Sequence, residues 1–133
     1  MCSQEARYEM LFKALADRTR LRLIHLMGDD EVCTCFCVEV LKTHQPKISR
    51  HLAYLQRAGL VAARREGKCT HYRLIQPTDA HAAKIFCEVR DWLANNPQMR
   101  SDKARLEKIC CSSAKRVVNA AQQSQAARQT ATA

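Results

Sequence analysis

The chain has 133 residues, eight of them cysteines, and its 22 Lys and Arg outnumber 13 Asp and Glu for a formal net charge of +9. That length suits one domain with its own core and excludes two ordinary ones; no run reaches the about 18 consecutive apolar residues of a membrane span, and the N-terminus MCSQEARYEM lacks the apolar core of a secretion signal. The expectation is therefore a cytoplasmic protein in a reducing compartment, with no membrane partner, thiols that are free or metal-ligating rather than bridged, and a polyanionic partner.

From Glu5 to Ala16 the apolar residues Tyr8, Leu11, Phe12 and Leu15 recur at helical spacing. Asp17 is placed to cap a second helix in RTRLRLIHLM, with Leu21, Ile24 and Met27, or Leu23 and Leu26, on its buried face, and GDDE ends it. A third helix is expected from Thr34 to about Lys42, turning Val38 and Leu41 inward. THQP makes a short turn. Pro46 then sits at the first position of a fourth helix, whose buried stripe is Ile48, Leu52 and Leu55 and whose end is Ala58-Gly59. LVAARREGKCTHYRLI reads as two short strands around a two-residue turn at Glu66-Gly67.

A fifth helix is predicted from about Asp79 to Asn95, stopped by Asn-Asn-Pro. Its apolar residues Ala82, Ile85, Phe86, Val89, Trp92 and Leu93 make a face wider than a small core requires, so a homodimer with this helix in the interface is expected. Residues 112–133 form a tail of Ala, Gln, Ser and Thr, predicted to be disordered, which leaves residues 1–111 as the folded domain.

The expected fold is mainly α with a small β-hairpin wing, in the order helix-helix-helix-helix-strand-strand-helix: a winged helix-turn-helix, in which the second helix of the motif enters the DNA major groove. Turning Ile48, Leu52 and Leu55 inward leaves Lys47, Arg50, His51 and Tyr54 along another face of the fourth helix. Gln45 and Ser49, near its positive N-terminal end, suit phosphate oxygens, and the fork of Arg50 matches a guanine edge. The hairpin adds Arg64, Arg65, Lys68, His71 and Arg73. Any one of these could be a solvated surface charge, and His51 alone could be structural. A dimer would set two reading helices on half-sites roughly 34 Å apart, so the expected target is double-stranded operator DNA with an imperfect inverted repeat.

The stretch EVCTCFC places Cys33, Cys35 and Cys37 at alternate positions, ahead of VEVLKTHQPKISRHLAYLQRAGLVAARREGKCTHYRL. Together these segments resemble the arsenical-resistance repressor (ArsR) family of winged-helix metalloregulators, whose sensor box reads close to E-L-C-V-C-D-L-C and whose reading helix begins Q-P-K-I-S-R-H-L. The resemblance covers roughly residues 8 to 93, and Gln45 to Leu52 match that helix at all eight positions. It implies a homodimeric transcriptional repressor whose box cysteines bind As(III) or Sb(III) as inducer, releasing the operator and derepressing arsenic-resistance genes. It carries Cys33 and Cys35 over directly. The family's third cysteine falls at Val38, while a cysteine stands one place earlier, at Cys37.

The spacing itself constrains the site. On a strand, Cys33 and Cys37 would lie about 13 Å apart; on a helix they are i, i+4 neighbours about 5–6 Å apart, with Cys35 about 200° around the axis. A regular helix cannot gather all three, so the expectation is that ion binding unwinds the first turn of the third helix, which supports the reading helix. All-sulfur ligation selects soft ions. A second family locus, a zinc site on the fifth helix, has its Asp79 and His81 here but Trp92 and Asn95 at the later positions, and is incomplete.

Among the remaining thiols, adjacent Cys110 and Cys111 suit an accessory or alternative arsenical site, Cys87 is expected to pack inside the fifth helix, Cys69 is a redox-sensitive bystander of the hairpin, and Cys2 carries no assignment. Alternatives to the arsenic-sensing repressor are a cadmium, lead or zinc sensor of the same fold, and a thiol-based redox sensor or soft-metal carrier. An enzyme is not expected, and no catalytic cofactor is implied, because no nucleophile, base and oxyanion set is visible.

Overall fold

In the computed structural model, residues 4–110 are described; Cys2, Cys111 and the tail over residues 112–133 lie outside the described residues. The elements are α1 (Gln4–Leu15), α2 (Arg18–Met27), β1 (Val32–Cys33), α3 (Thr34–Leu41), α4 (Gln45–Arg57), β2 (Val61–Glu66), β3 (Cys69–Leu74) and α5 (Ala80–Leu93). A further helix, α6, follows over residues 97–110.

Helix α2 starts because the Asp17 carboxylate accepts the Arg20 backbone N–H, and it stops at Gly28, whose φ is 51°. Both apolar sets of α2 are used: Leu23, Ile24, Leu26 and Met27 are all buried. Of the predicted α1 stripe, Leu11 is buried, whereas Tyr8 and Phe12 are exposed. In α3 the inward residues are Cys37, Val40 and Leu41, with Val38 only packed against the core's edge. Helix α4 buries Ile48, Leu52 and Leu55 as the periodicity requires.

The sheet has three strands, not two. β1 pairs antiparallel with β3, setting Val32 opposite Tyr72 and Cys33 opposite His71, and the strand order is β1-β3-β2. The Thr34 hydroxyl extends this pairing by donating to the Thr70 carbonyl at 3.0 Å. The hairpin turn is Gly67-Lys68, one residue later than expected, since Glu66 and Cys69 are the last paired residues. Gly67 has φ of 60° at the first turn position, the place where a type II′ turn takes glycine.

The fold also holds a sixth helix. The Asn96 side chain accepts the N–H groups of Gln98 and Met99 and caps α6, and Pro97 sits at its first position. Asn-Asn-Pro therefore ends one helix and begins another. Met99, Asp102 and Leu106 are the buried residues of α6. Asp102, fully enclosed, accepts from Arg22 Nε at 2.7 Å and Nη2 at 2.8 Å and from Gln98 Nε2 at 3.1 Å. Arg105 donates to the Val40 carbonyl near the end of α3 at 2.8 Å, and Lys103 reaches the Leu26 carbonyl of α2. Thus α6 closes the C-terminal ends of two helices whose last carbonyls lack intrahelical partners.

Burial pushes the Asp102 carboxyl up, but its bonds from Arg22 and Gln98 outweigh this and hold it below the usual carboxylate range. Its stabilisation is therefore present above the ordinary carboxylate pKa of about 4 and is lost as pH falls through the lower folded value. Asp102→Asn is expected to cost about 2–3 kcal/mol in urea unfolding at pH 7, less than for a fully enclosed pair because the Arg22 side chain is 20% exposed. The gap between variant and parent should narrow below about pH 4.

Candidate functional site

Helices α3 and α4 are joined by a three-residue turn in which Lys42 takes φ of 52° and the Thr43 N–H donates to the Val38 carbonyl. This places the α4 N-terminus at the surface, with Gln45, Lys47, Ser49 and Arg50 exposed. Two residues expected on the same face lie deeper. His51 is half-buried, its Nδ1 3.3 Å from Arg20 Nη1 and 3.9 Å from Asp17 Oδ1. The Tyr54 ring is covered by the Arg20 guanidinium, 4.4 Å from its centroid, and approached by Arg57 at 5.4 Å.

Arg20 thus acts as a staple. It donates to the carbonyls of Ala14 and Lys13 at the end of α1, spans His51, and stacks on Tyr54. Because a guanidinium only donates, His51 Nδ1 must accept and the ring is neutral in this contact. Burial, then the nearby cations Arg20, Lys47 and Arg50, push the His51 pKa down against the pull of Asp17. Arg20 escapes a stripe-based reading because its partners lie on other helices, whereas Arg57, three residues after Tyr54 on α4, is within reach of the i, i+3 spacing.

The wing divides its charges differently from expectation. Arg64 is exposed, but its Nε lies 3.0 and 3.1 Å from the two Glu31 carboxylate oxygens and its Nη1 donates to Glu66 at 3.1 Å. Its charge is therefore matched by two carboxylates. Contact with Arg64 in turn holds Glu31 below the usual carboxylate range. His71, opposite Cys33, is half-buried with Nε2 3.6 Å from Glu66. Among the described residues Arg65, Lys68 and Arg73 are exposed and make no side-chain hydrogen bond or ion pair, although Arg73 lies near enough to Glu31 to help lower its carboxyl.

The thiols are sorted by the strand-to-helix junction. Cys33 ends β1 and is the residue preceding α3, while Cys35 lies in the first turn of α3, and their sulfurs are 2.9 Å apart. No unwinding is needed to bring this pair together. Two sulfurs sharing one ion through bonds of about 2.3 Å lie roughly 3.5 Å apart, so a small separation of the pair fits a common ion. Cys33 is buried and Cys35 exposed. Burial first, then contact with Cys35, pushes the Cys33 thiol up.

Cys37 lies beneath them, enclosed by the core. It is fully buried in the core, and burial, followed by the neighbouring Cys33 and Cys35, pushes its thiol up to about 12. Cys69 is exposed at the start of β3, and its thiol interacts with that of Cys33. Cys87 is exposed on α5 instead of packed. Cys110 packs against the core's edge at the end of α6. Among the described residues, no three His, Cys, Asp or Glu side chains are already gathered into a set that could hold an ion. Among the described residues, Cys33 and Cys35 are thus a close pair with no third ligand already gathered to them.

A three-stranded wing beside a helix-turn-helix with a basic leading edge defines a winged helix-turn-helix DNA-binding protein. The description "Bacterial regulatory protein, arsR family" matches residues 17–63. The chain is 42% identical to the arsenical resistance operon repressor of Escherichia coli over 77% of this chain and 86% of that protein. It is 45% identical to an arsenic resistance transcriptional regulator of Pseudomonas putida over 76% and 95%. Among solved structures, the homodimeric winged helix-turn-helix domain of a possible ArsR-family regulator from Mycobacterium bovis aligns with a TM-score of 0.55 at 26% identity, covering 71% of this chain and 88% of that one. The chain belongs to the ArsR family of transcriptional regulators. It is a DNA-binding repressor and not an enzyme, and among the described residues no helix is long and apolar enough to cross a membrane.

The buried and exposed thiols should be chemically distinct. A maleimide applied to the reduced native protein at neutral pH is expected to label Cys35 rapidly and Cys37 only at the rate of unfolding, read by peptide mass spectrometry over time. Equal labelling of the two would contradict the burial of Cys37.

Proposed function

We propose that this repressor binds an imperfect inverted repeat as a homodimer and releases it when As(III) or Sb(III) is captured by Cys33 and Cys35, turning on arsenic-resistance genes. The observation that carries this reading is the 2.9 Å thiol pair, placed where β1 joins the wing and α3 begins the helix-turn-helix. Relatives named for arsenic resistance support the same inducer class. Soft three-coordinate ions favour thiolates.

Lys47, Ser49 and Gln45 are assigned to phosphates and Arg50 to a base edge, with Arg65 and Lys68 of the wing tip on the flanking backbone. His51 and Tyr54 act through Arg20 by holding α4 at its angle, and Arg64 is held by its carboxylates. Dimerisation uses the apolar surface of α1 and α5, where Phe12 is 56% and Trp92 78% exposed beside Leu15, Leu21, Ile85 and Val89. Large apolar groups left open in this way mark a protein interface. The close thiol pair also admits oxidation, but a Cys33 thiol pushed up by burial is a poor peroxide nucleophile.

Two outcomes test this. Cys33→Ser/Cys35→Ser is expected to keep operator affinity within about twofold and to lose release by arsenite in a gel shift with the promoter beside its own gene; release of the double variant by arsenite would remove the assigned site. In fluorescence anisotropy across a salt series, Lys47→Ala should weaken binding to all sequences alike and lower the log–log salt slope by about 1, whereas Arg50→Ala should cost about 1–3 kcal/mol and relax preference at one base pair.

A further inference from the structure

The sheet register brings a further thiol toward the pair. Cys33 stands opposite His71 in β3, and Cys69 lies two residues from His71 on the same strand. Side chains two apart on a strand share a face, so Cys33 and Cys69 are diagonal neighbours on one side of the sheet. Such diagonals hold their Cβ atoms about 7–8 Å apart or less, within reach of two thiols turned toward a shared ion. The two thiols interact side chain to side chain. Cys37, by contrast, would have to leave the core, where it is fully buried.

We propose that Cys69, at the base of the wing turn, supplies the third sulfur to the Cys33–Cys35 pair, so that a trivalent thiophilic ion ties the wing to the start of α3. This rests on the reading of Cys33 and Cys35 as the inducer site. Cys69 is exposed at the start of β3, where its side chain and the turn beside it are open to movement toward the pair. With arsenous acid, three As–S bonds replace three As–OH bonds; each thiol proton leaves with a hydroxyl as water, and arsenic stays trivalent throughout.

The consequence reaches the DNA-facing surface. Cys69 follows Gly67-Lys68 directly and is paired with Glu66, which holds Arg64. An ion drawing Cys69 toward Cys33 therefore pulls on the tip that carries Arg65 and Lys68. The wing, and not only the α3–α4 support, becomes a route from inducer to operator.

The test uses the reduced full-length protein with one equivalent of sodium arsenite, in parent, Cys69→Ser, Cys37→Ala and Cys33→Ser/Cys35→Ser forms. X-ray absorption at the arsenic edge should give three sulfurs in the parent and in Cys37→Ala, and two sulfurs with one oxygen in Cys69→Ser, accompanied by at least a tenfold loss of arsenite affinity. Phenylarsine oxide, which needs only two thiols, should bind parent and Cys69→Ser alike, showing that the remaining pair is intact. Three sulfurs retained in Cys69→Ser overturn the proposal, whether the third then comes from Cys37, as its alanine variant would reveal, or from the C-terminal cysteines. Unchanged arsenite binding in Cys33→Ser/Cys35→Ser instead overturns the underlying site assignment.

Discussion

The antiparallel pairing of Val32 and Cys33 with Tyr72 and His71 is the constraint on which the arrangement turns. Two strand residues are too few to be stable alone. They persist because Val32 is buried, Thr34 adds its hydroxyl bond to Thr70, and α3 starts without an intervening loop. One short pairing thereby fixes three things at once. It sets the wing against the helix-turn-helix, forces a change from extended to helical backbone between Cys33 and Cys35, and turns Cys37 into the core. That backbone change is what brings the first two sulfurs together, since neither a continuous strand nor a continuous helix does so.

The basic surface proposed to face DNA is built on a similar separation between charges that are held and charges that are available. Arg20 is committed to Lys13, Ala14, His51 and Tyr54, and Arg64 to Glu31 and Glu66. These six contacts position α4 and the wing. Arg22, facing Asp102, does the same for α6. The exposed Lys47, Arg50, Arg65 and Lys68 have no such commitment in the described contacts and keep their charge for a polyanion. A count of basic residues alone overstates the surface available to phosphate.

Much of this was legible because local pattern and tertiary demand agree. The Ile48, Leu52 and Leu55 stripe, the Pro46 start and the reading-helix match place α4 correctly, and the Gly67 turn falls within one residue. Legibility failed where the deciding contact is long-range. β1 has only two residues and so shows no period. In α6 the buried stripe contains Asp102, whose partner is 80 residues away, and Asn-Asn-Pro reads equally as a stop and a start. His51 and Tyr54 flank the buried stripe of α4, and their contacts with Arg20, on another helix, decide which way they act. Cys37 precedes the buried Leu41 by four residues, a core signal that the neighbouring cysteines masked.

The same geometry bears on how an inducer can act at all. A ligand shifts the balance between DNA-competent and incompetent shapes only by binding one more tightly than the other. Moving such a balance from 1:99 to 99:1 takes about 5.5 kcal/mol of differential affinity. The Cys33–Cys35 pair is already close in this shape, so capture by those two sulfurs alone asks little movement of the chain. Discrimination has to come from whichever group must move to complete the shell. Extracting Cys37 would open the core beneath α3 and act against folding itself, whereas moving an exposed thiol at the foot of the wing spends the binding energy on the position of Arg65 and Lys68. The wing route leaves the core intact and lets a strong ligand bond be converted into lost phosphate contacts.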